Sequence, residues 1–156
     1  MFLRDERGSI VVAELLIGMV LLMALVFGGI DYWMMITQFQ EAAHLKNQYL
    51  DHIRLNGCLD SISENELRDK LTKLGFEDIT ITVADARDPS IRYSESKRAV
   101  RKVGKTANDI PQILFTIEGN FKKDKFLISS LLSTSEGDKV PFKLQGTTFS
   151  EYVERS

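Results

Sequence analysis

The apolar positions are concentrated near one end of the chain. They form a dense block from Ile10 to Ile36, and Leu15–Ile30 runs without a charged side chain. Between Ile10 and Ile30 the single charged residue is Glu14. A helix needs about 20 residues to cross the hydrocarbon layer of a bilayer. Leu15–Ile30 is slightly short of that, and Ile10–Ala13 or Tyr32–Ile36 supplies the difference. Tyr32 and Trp33 follow the run, where aromatic side chains sit at a membrane interface. The pattern therefore predicts a transmembrane helix over 10–36. The rival, a cleaved secretory signal, would have an apolar core of about 7–15 residues and a small-x-small cleavage site. This core is longer, and Gly28-Gly29-Ile30-Asp31 is a poor site of that kind.

The helical pattern continues past the block. Ile36, Phe39, Ala43, Leu50 and Ile53 recur at helical spacing, with Ala42, Leu45 and Tyr49 on an adjoining strip. Gln38, Gln40, Glu41, Lys46, Asn47 and Gln48 fill much of the other side. The first stop signal is Asn56-Gly57. One helix of about 48 residues, about 70 Å long at 1.5 Å per residue, is expected. Its outer part, 37–57, would form an amphipathic stalk.

Shorter elements follow, in a soluble region spanning 58–156. Ser63 and Glu66 have capping-box spacing, and Leu67, Leu71 and Leu74 line one face of a helix closed by Gly75. Ile79, Ile81 and Val83 alternate with Thr80 and Thr82, as in a strand with one buried face. Ile113, Phe115 and Ile117 repeat the pattern. Gly119-Asn120 and Lys122–Lys125 predict a hairpin to a strand over Phe126–Leu132. After Glu136-Gly137-Asp138, two short strands, Val140–Leu144 and Thr147–Val153, are expected to turn at Gln145-Gly146. The order predicts an α+β fold with an antiparallel sheet against the stalk.

Composition narrows the function classes. A net charge of −2 and a pI near 5.7 give no overall case for nucleic-acid binding. The basic side chains do cluster in the polar excursion Ala86–Pro111, which holds Arg87, Arg92, Lys97, Arg98, Arg101, Lys102 and Lys105. Val100 and Val103 mark an imperfect strand there. The excursion reads either as a solvated loop or as a contact for an acidic partner, with Arg98, Arg101 and Lys102 at its centre. Its one aromatic, Tyr93, offers little for stacking bases. No nucleophile elbow, phosphate-binding glycine loop or Cys-x-x-Cys pair occurs. His44 and His52 are too far apart along a helix to make a zinc site together. The lone Cys58 reads as a small buried apolar residue. No enzyme, cofactor or metal role is expected.

Glu14 is the most informative residue. A carboxylate in a membrane span costs several kcal/mol unless it is paired, protonated or near the interface. Arg7-Gly8-Ser9-Ile10-Val11-Val12-Ala13-Glu14-Leu15-Leu16 resembles the entry to a type IV pilin-like segment. Ala13–Leu16 followed by Leu25-Val26-Phe27-Gly28-Gly29-Ile30-Asp31-Tyr32 resembles the TadE-like pseudopilins of tight-adherence pili. The resemblance covers about the first 35 residues. The family often has a proline soon after the glutamate, and this chain has Val20 in that region.

The resemblance implies a minor pilin or pseudopilin. A prepilin peptidase would cut after Gly8, making Glu14 the sixth residue, or after Ser9, making it the fifth. Segment 1–9 would be the leader. Glu14 would pair with the amino terminus of a neighbouring subunit, and Gly18, Phe27, Gly28 and Gly29 would serve helix packing. Partners would be membrane lipid, other pilin-like subunits and an assembly platform. Arg4 and Arg7, partly offset by Asp5 and Glu6, favour a cytoplasmic N-terminus and an extracytoplasmic C-terminal domain. The alternative is an uncleaved, signal-anchored binding module outside the cytoplasm that builds no filament.

Overall fold

The computed structural model describes residues 5–102, 110–121 and 139–153. Helix α1 spans Asp5–Asn56, α2 spans Ser61–Leu74, and three strands follow: β1 (Phe76–Asp85), β2 (Gln112–Phe121) and β3 (Val140–Phe149). The fold is α+β. The described residues fall into two units that divide within α1, between Thr37 and Gln38. The expected strand Phe126–Leu132, the turns at Lys122–Lys125 and Glu136–Asp138, and Val103 and Lys105 lie outside the described residues.

Helix α1 begins earlier than its apolar block and ends where expected. Gly57 adopts φ 70° and its N–H reaches the Ile53 carbonyl at 2.8 Å. A side chain is excluded there, because a Cβ would lie 2.8 Å from the Ala99 carbonyl oxygen. Helix α2 starts differently from the sequence expectation. Its N-cap is Asp60, whose carboxylate accepts from the Ser63 N–H at 3.4 Å. Ser63 is thus a capped residue, not the cap. Glu66 makes no capping box and pairs instead with Lys70, one turn on, at 2.7 Å. Gly75 closes α2 in the left-handed region at φ 99°, its N–H bonding back to Thr72 at 3.0 Å.

The sheet has the order β1-β2-β3, both pairs antiparallel. Register places Val83, Phe115 and Gly146 in one row and Ile81, Ile117 and Leu144 in the next. A bulge interrupts β1, with Glu77 opposite Asn120 but Thr80 opposite Glu118. Asp78 takes φ 52° inside it, a conformation that Asp and Asn tolerate better than most residues. Its carboxylate accepts from Asn120 at 3.0 Å and Lys139 at 2.6 Å, and those contacts hold it below the usual carboxylate range. The bulge turns Phe76 onto the same face as Ile81 and Val83. Strand β3 runs unbroken through Gln145-Gly146, which corrects the expected turn. α1 passes over Gly146, where a Cβ would meet the end of the Leu50 side chain at 3.0 Å.

One face of the sheet packs on the part of α1 beyond Gln38. Phe39 lies against Phe76 (5.7 Å between centroids), Phe121 (6.0 Å) and Phe142 (6.3 Å). Phe76 and Phe142 approach to 4.3 Å. Ala42, Tyr49 and Ile53 are buried on α1, and Leu67 and Leu71 on α2. The expected strip on α1 is therefore rotated: its centre is Ala42–Tyr49–Ile53, with Phe39 and Leu50 half-buried beside it. Each fully buried large apolar side chain contributes about 1.5–3 kcal/mol.

The opposite face is polar and rich in threonine. Thr82, Thr116 and Gln145 form a row across it, flanked by Thr80, Glu118 and Lys143. Lys143 and Glu118 pair across strands at 2.7 Å.

Candidate functional site

Two regions hold the residues singled out by the sequence. The first is the N-terminal part of α1. Gly8 and Ser9 lie in its first turns. Every residue from Val11 to Phe27 is exposed, including Leu25 at 77% and Leu15 at 67%. Apolar side chains surround the helix on all sides, and Glu14 stands exposed among them. Among the described residues nothing lies within 4 Å of where a Cβ would sit on Gly18 or Gly29. Phe27 is exposed and Gly28 half-buried. Asp31 is buried at the end of this stretch, whereas Tyr32 and Trp33 are exposed.

A helix that is apolar all round is stable only where something apolar covers it. This one is long and apolar enough to cross a membrane. The same length and composition fit a signal sequence, so the geometry sets a demand for cover without naming what supplies it.

The second region is 86–102. Its side chains are largely exposed, and its backbone is tied down at several points. Asp85 organises its start: the carboxylate accepts from the Arg87 N–H at 2.7 Å, the Asp88 N–H at 3.3 Å and the Tyr93 hydroxyl at 2.6 Å. Partial burial pushes the Asp85 carboxyl up, but these hydrogen bonds outweigh it and hold the group below the usual range. Burial and the same contact push the Tyr93 phenol well above its ordinary value. The Asp85 N–H reaches Ile91 O at 2.8 Å and the Tyr93 N–H reaches Val83 O at 2.9 Å, so 91–93 lines the edge of β1.

Further along, Ala99 is buried and its N–H bonds Gly57 O at 2.8 Å. The Ser150 hydroxyl donates to Ala99 O, and the Arg101 N–H reaches Tyr152 O at 2.7 Å. Arg54 at the end of α1 pairs with Glu151. The Arg98 guanidinium lies 5.2 Å from the centroid of the Tyr152 ring, close enough for a cation–π contact. Val100 is in no strand. Arg98, Arg101 and Lys102 are all exposed, so the three stay together on one anchored stretch.

No protein-family model, curated protein or solved structure matches the chain. Its chemistry must therefore be judged on the residues themselves. Among the described residues, no group of three His, Cys, Asp or Glu side chains could hold a metal ion. His52 is 3.9 Å from Asp60 and near Asn56. Cys58 is buried at 1% exposure, and burial pushes its thiol up, away from the reactive thiolate.

Sequence reasoning missed the Asp85–Tyr93 contact and the Arg68 guanidinium that donates to the Ile79 carbonyl at the bulge of β1. Both join residues too far apart in sequence for spacing to reveal. The one available signal was Asp85 itself, a turn-favouring residue at the end of an alternating strand.

Proposed function

We propose that this chain is a non-catalytic structural subunit of a pilus or pseudopilus. It is anchored in the membrane and assembled through the N-terminal part of α1. The observation that carries the reading is the exposure of Val11–Phe27. These side chains are covered first by lipid and then by the equivalent helices of neighbouring subunits, with an assembly platform moving the subunit between the two. Association between helices in lipid rests on close packing and on polar contacts. Gly18, Gly28 and Gly29 supply the first. Glu14 supplies the second, paired to an amino terminus exposed when a prepilin peptidase cuts near Gly8–Ser9. The domain beyond Gln38 is then presented outside the cytoplasm. The TadE-like pattern around Glu14 and Phe27-Gly28 supports the same reading.

The test combines the mature N-terminus with one substitution. Mass spectrometry of the protein from its native membrane should give a start at Ser9 or Ile10. Glu14→Ala should insert in the membrane yet fail to enter high-molecular-mass assemblies. An intact Met1 with a monodisperse monomer in detergent would point to the uncleaved anchored module instead. A start beyond Gly29 would identify a signal peptide and overturn both.

A further inference from the structure

The cations of the 86–102 segment form a charged stretch that the filament reading leaves unused. The segment carries six basic side chains, Arg87, Arg92, Lys97, Arg98, Arg101 and Lys102, and two acidic ones, Asp88 and Glu95, in a chain of net charge −2. The rest of the chain is therefore net acidic, and the positive charge is local. Arg92, Lys97, Arg98, Arg101 and Lys102 are all exposed. Glu95 is engaged with the backbone N–H and hydroxyl of Ser61 at 2.6 and 2.9 Å and interacts with Arg98, so it offsets part of that one charge.

The cations are also held in place. The Ser94 and Lys97 backbones bond reciprocally at 3.0 Å, Ala99 is tied to Gly57, Arg101 to Tyr152, and Arg98 rests on the Tyr152 ring. A partner binding here orders little of the protein, which lowers the entropic cost of association.

We propose that Arg92–Lys102 is a docking surface for an acidic polysaccharide, a linear chain bearing carboxylates. The charges are spread over eleven residues on both sides of the tight turn at Ser94–Lys97, which suits a polyanion with repeated carboxylates better than a compact ion. Guanidinium forks match planar carboxylates. The sole aromatic, Tyr93, is half-buried with its hydroxyl committed to Asp85, so bases find no stacking platform. Ala99 is buried and Ile91 and Val100 are half-buried, so the stretch offers no exposed apolar side chain for insertion among lipid tails. A second copy of the chain is an outcome of the test: self-association that the quadruple variant abolishes, without polysaccharide binding, overturns the proposal.

The test uses the full chain in detergent micelles, titrated with polygalacturonate at low and physiological salt. Binding should exceed that of neutral dextran and weaken as salt rises. The quadruple variant Arg92→Gln, Lys97→Gln, Arg101→Gln and Lys102→Gln leaves Arg98 on Tyr152 and should keep the wild-type melting temperature. It should bind about tenfold more weakly, the sum of several modest exposed ion pairs. Unchanged binding by a folded variant overturns the proposal. So does wild-type binding no tighter than to dextran. Equal or tighter binding to anionic lipid vesicles or to single-stranded DNA overturns the choice of a polysaccharide. If the quadruple variant melts early, the single changes Arg92→Gln and Lys102→Gln must each weaken binding, or the proposal fails.

Discussion

The Tyr93 hydroxyl donates to Asp85 Oδ2 at 2.6 Å and closes the start of the long β1–β2 connection onto the end of β1. Removing the donor leaves a part-buried carboxylate short of one partner. Tyr93→Phe should therefore destabilise the protein by about 1–2 kcal/mol in chemical denaturation, since hydrogen bonds to charged groups sit at the upper end of the usual range.

The same pair predicts a window of stability with pH. The Tyr93 phenol is raised in the folded protein, so its contribution is full below the ordinary tyrosine value of about 10 and is lost as pH climbs through the raised value. Asp85 is lowered, so its contribution is full above the ordinary carboxylate value of about 4 and is lost as pH falls through the depressed one. Phenolate absorbance should show one tyrosine titrating late in the native protein and normally in denaturant. In Tyr93→Phe the late component should be gone.

Two strand glycines should respond differently to alanine. At Gly119 a Cβ would lie 2.7 Å from the Phe142 ring and 2.8 Å from the Glu77 carbonyl oxygen, both fixed by packing or backbone. Gly119→Ala should cost about 1–3 kcal/mol in the thermal or urea unfolding free energy. At Gly146 the near atoms are the ends of Leu50 and Lys46, which can move aside. Gly146→Ala should stay within about 1 kcal/mol of the wild type, because alanine also suits a strand better than glycine does.

The cap of α2 can be assigned by a pair of substitutions. Asp60→Ala removes the carboxylate that accepts from Ser63 N–H and should cost about 1 kcal/mol. Ser63→Ala keeps that N–H and should cost less. The reverse order would restore Ser63 as the cap.

Cys58 supplies a probe of folding. Its side chain is buried and its thiol raised, so labelling by a maleimide should be slow in the native protein and should track global unfolding as urea is added. Rapid native labelling would mean that the junction between α1 and α2 opens locally.

These details show which levels of structure the sequence exposes. Both helices and strands β1 and β2 are legible, because their apolar periodicity is strong and their ends carry Gly57, Gly75 or polar breaks. β3 is misread because Gln145-Gly146 has turn chemistry, while in the fold both residues continue the strand beneath α1. Phe76 looks out of phase with Ile81 and Val83 because the bulge at Asp78 shifts the alternation, and a bulge leaves no mark that periodicity can detect. In the candidate site, the exposure of Glu14 and the clustering of basic residues follow from composition. The bonds that hold Arg98 and Arg101 to Tyr152 bridge some fifty positions and needed coordinates.

The sheet borrows its fourth wall from α1: Phe39, Ala42, Tyr49 and Ile53 belong to the same unbroken helix as the apolar N-terminal stretch. The helix is continuous through Thr37 and Gln38. By the same continuity, removing the apolar end by cutting anywhere past Phe39 also removes part of the core. One helix thus carries both the apolar stretch and a wall of the domain's core.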